Sequence, residues 1–506
     1  MLEQASQGLG TPILEARALR LTASLQLWVH PSDDAAILLG AARSFEGLDA
    51  RMARETYTEA LQAALVSGQL TAGTTLVEVA RAALEAPRPI GDETTVLDLM
   101  REAWGTRFAV GYRESADLLR GAVQALATAD VRTSGRTLLA LMGYRAALEI
   151  WDADGYRRMV ERLERTQRSR GERDSLRVTL LALCRREMWA GRFASARAYH
   201  NERVEISVAI DGPGPIARTF AMLDVRRSAW EGNEEEVRSV AARAHRATGG
   251  VLNAAGNALG ILENSLRHYR AALESAWPVF EADVPADGNE AIPEVVEAAV
   301  RIGHRDAAVA ALSRMEMRAS VAATPWALGL LARCRALMAE GETANEHYGE
   351  ALVQLGRAGV MPDLGRAHLL YGEWLRRERR RTEARDQLHA AHDMFSIMGA
   401  SSFAERARIE LAATGDRVAQ PMASAVDDLT PQELHVARLA ATGRTNTEIG
   451  AQLFISANTV DYHLRKVYRK LDVTKRGQLA SALTAEGGGR VTSASGREGR
   501  LTSRRE

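Results

Sequence analysis

Between Ala457 and Arg476 the chain carries six basic and two acidic side chains, a local net of +4 in a protein whose formal net charge is zero. Val460, Leu464, Val467 and Leu471 recur there at i, i+4, i+7 and i+11, a single apolar stripe of a helix. Asn458, Asp461, Tyr462, Arg465, Lys466 and Arg469 fall on the other side. That face offers amide, carboxylate, phenol and guanidinium groups within a few turns, a set suited to reading base edges in a major groove. Basic charge on phosphate would add affinity without specifying sequence. The plainer reading of the same charges is a solvated helix face, and the flanking elements decide between the two.

Those elements are legible. Thr430-Pro431-Gln432-Glu433 is a capping box with proline at the first helical position, so a helix starts there. Gly443 stops it. Thr445-Asn446-Thr447-Glu448 is a second capping box, opening a short helix with Ile449 and Leu453 on its buried side. Phe454-Ile455-Ser456 makes a turn, and Ser456 can cap the third helix. Caps, turn, stripe and basic face agree, and together they predict a helix-turn-helix DNA-binding module from Leu429 to Glu486.

The segment resembles the LuxR-type helix-turn-helix family. The matching residues are Thr430-Pro431-x-Glu433, Gly443, Asn446-x-Glu448-Ile449, Leu453, Ile455-Ser456, Thr459-Val460-x-x-His463, Lys470-Leu471 and Arg476. They cover nearly all of the final domain, about a ninth of the chain. The resemblance implies that Asp461, Tyr462 and Arg465, with Asn458 beside them, face bases. It implies that Arg444, Thr445, Ser456, Thr459, Lys466, Arg469, Lys475 and Arg476 lie near phosphate, and that His463 and Val460 pack. It further implies double-stranded promoter DNA as partner, a homodimer on that DNA through the last helix (Leu479 and Leu483 included), and a contact with RNA polymerase. Two departures stand out. Ala437 and Ala440 replace larger aliphatics, which thins the local core, and Gly450 replaces a common alanine at a helix-interior cost of up to about 1 kcal/mol.

Lysine usage narrows the chemistry of the rest. Of 65 Lys plus Arg, only Lys466, Lys470 and Lys475 are lysines. A P-loop needs a lysine to reach the β- and γ-phosphates, and none precedes Lys466. Lysine Schiff-base catalysis is excluded from the same region. Arginine in place of lysine, with abundant alanine and glycine, suggests a bacterial genome of high GC content. Cys184 and Cys334 lie far apart, so no disulfide framework is expected and a reducing cytoplasm is the natural compartment. The first residues lack a signal-peptide pattern, and no apolar run approaches the roughly 20 residues that span a membrane.

From Leu14 to about Gly415 the pattern is helical almost throughout. Breaks are expected at His30-Pro31, Pro87-Arg88-Pro89, residues 211–215, residues 285–288 and Met361-Pro362, where turn-formers separate periodic runs. Tryptophans at 151, 189, 230, 277, 326 and 374 recur at near-constant spacing, which suggests helix-pair repeats. Each repeat reads as a small residue in one helix, a turn, and alanine-rich positions in the next. Gly260, Tyr269, Ala272 and Ala276 form one set, Gly191, Phe193 and Ala196 a second, Gly303, Ala308 and Leu312 a third. Gly372, Leu375, Ala384, Leu388 and Ala391 form the clearest. These units loosely resemble tetratricopeptide repeats without their 34-residue period. With Ala367–Arg377 and the C-terminal module, they look like the C-terminal part of the large MalT-like, or LAL, regulators. Those carry an N-terminal STAND-type ATPase that this chain lacks, so it reads as a shortened regulator or as one whose natural start lies upstream of Met1.

The expected organisation is all-α: a repeat domain over residues 1–414, a linker over 415–428, a four-helix LuxR-type domain over 429–486, and a disordered tail over 487–506. His389, His392 and Asp393 could form a metal face, but lacking a third ligand they read better as a histidine pair between repeats. Glu234-Glu235-Glu236 reads as a helix first turn. The basic run Arg376–Arg381 reads as a solvated helix end, with a second DNA contact as the alternative. No catalytic residue, metal site or cofactor site is expected. The function read from all this is a DNA-binding transcriptional regulator whose repeats receive a small-molecule or protein effector. The alternative is a protein-interaction scaffold with an accessory DNA-binding module.

Overall fold

The computed structural model describes residues 11–26, 31–88, 93–128, 136–244, 249–416, 429, 431–453, 456–471, 473, 475–479 and 483. All regular structure among them is helical. The chain divides into two compact units, Met1–Arg417 and Val418–Glu506. Apart from Gly415 and Asp416, the expected linker lies outside the described residues, as does the expected tail.

The first unit is a succession of helices from Pro12–Gln26 to Ser401–Ala413, most of them packed on their neighbours in sequence. The turn-formers act where the sequence places them. Helices begin at Pro31, Pro215, Asp287 and Met361, and Pro87 and Arg88 lie between Leu76–Glu85 and Val96–Ala109, Pro89 falling outside the described residues. Glu234–Glu236 open the helix Glu234–Ala244, where carboxylates meet the positive end of the helix dipole.

The small residues of the repeats divide into two kinds. Gly260 and Gly372 lie inside helices at crossings: a Cβ on Gly372 would come 2.6 Å from Cγ of Leu388, and one on Gly260 would come 3.1 Å from Cβ of Ala276. Gly191 and Gly303 instead take left-handed φ values of +73° and +72° and end helices, so they set turns rather than crossings. The alanines that follow them, Ala196 and Ala308, are buried as expected.

A simple solenoid makes contacts only between neighbouring repeats. Here the succession coils back on itself. Arg173–Trp189 packs on Met361–Arg377, Ala50–Ser67 on Gly249–Ser265, Tyr112–Thr128 on Arg305–Ala322, and Val225–Glu231 on Ser401–Ala413. Trp189 meets Trp326 edge-on, ring centroids 4.8 Å apart. Ser401 donates to the Glu231 carbonyl at 2.5 Å, and Arg120 to the Ala322 carbonyl at 3.1 Å. The tryptophan spacing therefore marked residues that pack across turns of the coil as well as within repeats.

Charged groups are also buried inside this coil. Arg366 pairs with Glu294 and Glu297. Arg406, from the last helix of the unit, pairs with Glu297 at 2.8 Å and Glu373 at 2.7 Å, and donates to the Asn264 carbonyl at 2.9 Å. Burial alone would raise the Glu297 carboxyl. Arg366, then Arg406 and Arg301, outweigh that and hold it well below the usual carboxylate range.

The remaining candidates of the repeat region become ordinary side chains. His389 lies 3.0 Å from Asp416, while His392 is buried with Nδ1 3.4 Å from Asp393, so the two histidines have separate carboxylate neighbours. In the basic run, Arg376 pairs with Glu410 at 2.7 Å and Arg380 with Glu383 at 2.8 Å. Cys184 and Cys334 are buried free thiols. No helix among the described residues is long and apolar enough to cross a membrane.

Candidate nucleic-acid interface

Among its described residues the second unit holds the helices Pro431–Ala441, Asn446–Leu453 and Ala457–Lys470, then the 3-10 turn Arg476–Gln478, with Leu479 and Leu483 helical beyond it. Thr430, the cap expected for the first helix, lies outside the described residues, as do Phe454 and Ile455 of the turn. Gly443 adopts φ +87°, a conformation that disfavours any side chain, and it redirects the chain between the first two helices. The second capping box is formed. Thr445 N–H donates to Glu448 at 2.7 Å, and Glu448 N–H donates to the Thr445 hydroxyl at 3.3 Å. The Thr445 backbone N–H, then its hydroxyl, hold the Glu448 carboxyl below its ordinary range. Ser456 caps the third helix, accepting from Thr459 N–H at 3.1 Å.

The apolar stripe faces inward. Val460, Leu464, Val467 and Leu471 are buried against Leu429, Val436, Ala437, Ala440, Ile449 and Leu479. The core accepts Ala437 and Ala440 without exposing them. Leu479 is fully buried inside this core and Leu483 packs against it. Leu479 is therefore taken by its own domain and is not free for the dimer contact that the resemblance implied.

The opposite face of the third helix is open. Asn458 is exposed, Tyr462 retains 55% of its surface, and the Arg465 side chain retains 80%. Arg465 pairs with Asp461 at 2.8 Å one turn back, an exposed pair that costs little to break. Lys466 Nζ sits 4.4 Å from the Tyr462 ring centroid, a cation–π contact that steadies both near the surface. Arg469, Arg444, Thr445, Ser456 and Lys475 are exposed. Thr459 is half-buried, with its hydroxyl 2.8 Å from that of Ser456. His463 is half-buried and its Nδ1 lies buried inside the domain, as a packing residue would place it.

Two basic residues have structural partners that the sequence reading did not assign. Arg476 donates to Asn446 at 2.7 Å and to the Arg444 carbonyl, tying the 3-10 turn to the start of the second helix. Lys470 donates at 2.6 Å to Glu433, which is only 3% exposed. The signal for that pair was present in the sequence. Glu433 follows Pro431 in the first turn of an amphipathic helix, and Lys470 is one of three lysines in the chain.

A family profile described as bacterial regulatory proteins, luxR family, matches residues 427–483. The chain is 51% identical over 51 residues to a nitrate/nitrite response regulator protein homolog of Haemophilus influenzae, a match covering 10% of this chain and 24% of that protein. It is 46% identical over 54 residues to the transcriptional regulatory protein LiaR of Bacillus subtilis, covering 11% of this chain and 26% of that protein. The chain thus spans about a quarter of the length of these relatives. Residues 427–483 of this chain are a helix-turn-helix domain of the LuxR family.

Proposed function

We propose that this protein is a DNA-binding transcriptional regulator, not an enzyme, with its C-terminal domain over residues 429–486 acting on a promoter site. Asn458, Asp461, Tyr462 and Arg465 read base edges. Arg444, Thr445, Ser456, Thr459, Lys466, Arg469 and Lys475 hold phosphate, and Arg476 does so through the Arg444–Asn446 segment that it braces. The observation that carries this reading is the division of the third helix: its apolar stripe is consumed by the domain core, while its polar, cationic face is exposed or half-exposed among the described residues. A helix so divided can lie in a major groove without disturbing its own fold.

The repeat domain, residues 1–414, receives the signal. Its coil of packed helices offers both an enclosed interior and a long exterior, fitting a small molecule or a protein effector. Binding as a homodimer to a two-fold site, with RNA polymerase as a neighbour on the promoter, completes the reading. Because Leu479 is buried, the dimer contact falls on other residues. A protein-interaction scaffold with the DNA-binding domain as tether is the second reading, favoured by the size of the helical unit.

Fluorescence anisotropy separates the two. Full-length protein and a 425–490 fragment are titrated onto DNA from upstream of the protein's own coding region, with scrambled DNA and a salt series. Specific binding by either sample supports the regulator. Equal affinity for upstream and scrambled DNA in both samples would leave only the scaffold. Binding by the fragment alone would mean that the repeats restrain the domain until an effector arrives.

A further inference from the structure

The interior of the repeat unit contains a cavity lined by Tyr144, Arg145, Leu181, Arg185, Leu223, Gly250, Ala286 and Asp287, about 320 Å³ in volume with its solvent-open mouth included. Its enclosed end has room for roughly one or two water molecules. The lining carries two guanidiniums and one carboxylate. The Arg185 side chain is 12% exposed, and its ion pairs are long: 3.4 Å to Glu290 and 3.7 Å to Asp287. Glu290 is shared with Arg226, which approaches to 2.5 Å and so takes the closer position. Arg145 is held in place by the Leu65 carbonyl at 2.7 Å.

The cationic excess continues behind the wall. Arg203 is fully buried, and among the described residues its Nε and Nη1 have no hydrogen-bond partner, while Nη2 meets His200 Nδ1 at 2.9 Å and the guanidinium lies 5.8 Å from the Phe220 ring centroid. Burial pushes His200 down to about 4, so it is neutral near pH 7. Asp224, the nearby carboxylate, is shared among Arg227 at 2.6 Å, the Cys184 thiol at 2.7 Å and His200 at 3.3 Å. Buried guanidiniums stay charged, and leaving them short of anionic partners is unfavourable.

Part of the cavity wall is held in a costly conformation. Ala286, which lines it, has φ +65°, and Asp283 in the same turn has φ +50°, both in the region that side chains disfavour. Buried Glu149 accepts from Ala286 N–H at 2.6 Å and from Arg107 at 2.7 Å, while Arg107 and Arg318 also bind Asp283. Strain over-determined in this way is commonly kept where it shapes a site.

We propose that this cavity binds a small organic anion, its oxyanion head group seated on Arg185 and Arg145 with the Tyr144 hydroxyl beside them, and the remainder in the mouth near Leu223. The assignment rests on the reading of the repeats as the receiving domain and gives that reading a ligand class. A carboxylate and a phosphate head share this chemistry, and the test separates them.

Isothermal titration of the full chain is carried out without DNA, with succinate and separately with inorganic phosphate, at constant ionic strength. The expected result is a saturable one-to-one heat with one of the two, weakened at least tenfold in Arg185→Gln. Leu223→Trp fills the mouth while leaving every charge in place, and it should abolish the heat with unchanged helical circular dichroism. No saturable heat with either anion would overturn the proposal, as would binding that survives both variants. Because DNA is absent, failure here leaves the DNA-binding reading standing, and failure of DNA binding leaves this site standing.

Discussion

At the residue scale, the three lysines of the chain do different work. Lys466 and Lys475 reach solvent, whereas Lys470 neutralises the buried Glu433. Lys470→Ala should destabilise the 425–490 fragment by about 2 kcal/mol, because a carboxylate is left buried without its ammonium. Adding Glu433→Gln should recover much of that loss in urea unfolding. Absence of recovery would mean that the buried charge was not the cause. Arg465 is the complementary case, since it is exposed and spends nothing on the fold beyond a surface pair with Asp461. Arg465→Ala should leave stability unchanged and weaken a preferred DNA site by about 1–3 kcal/mol, roughly 5- to 150-fold, with a much smaller loss on random DNA. Equal losses on both in anisotropy titrations would reassign Arg465 to phosphate.

At the element scale, helix crossings decide which glycines matter. Gly372 brings two helices so close that a Cβ would meet both Leu388 and the Ala384 carbonyl. Gly372→Ala should therefore destabilise the full chain by about 1–2 kcal/mol, the overpacking outweighing the better helix propensity of alanine. Gly356, in the helix Gly341–Ala358, has nothing within 4 Å of such a Cβ. There the same substitution should stabilise by up to about 1 kcal/mol. Thermal unfolding of the two variants should move in opposite directions; a shared direction would show that packing at the crossing does not set the sign. Gly372 belongs to a repeat motif and Gly356 does not, but only the neighbouring helix shows that a methyl group has no room at the first and ample room at the second.

At the scale of the repeat unit, the buried ion pairs join helices distant in sequence. Arg406 ties the last helix to Glu297, Glu373 and Asn264. The folded-state values of Glu297 and Glu373 lie below those of an unfolded chain: burial opposes this, and arginines overcome it. A depressed carboxyl contributes stability that is complete above its unfolded value, about 4.3, and is lost as pH falls through its folded value. The repeat unit should thus lose stability on acidification below about pH 4. Glu297→Gln should be less stable at pH 7 and show a shallower acid limb in urea midpoints taken across pH. An unchanged acid limb would remove Glu297 as a source of the pH dependence.

The amino-acid sequence alone determined the local features. Capping boxes, the Ser456 cap, the apolar stripe and the proline-marked helix starts depend on residues within about a turn of each other, and so does the division of the third helix into a core face and an open face. The LuxR-type domain was legible for that reason: most of its determinants lie inside one short, ordered stretch. Tertiary structure decided whatever needs two distant segments to meet. The return of the coil onto itself, the burial of Leu479, the Lys470–Glu433 pair, the ion pairs of Arg376 and Arg380, and the cavity around Arg185 are of this kind. An arginine facing solvent and one facing a buried glutamate have the same letter and the same helical spacing. Packing alone sets which carboxylate, carbonyl or open space each guanidinium meets.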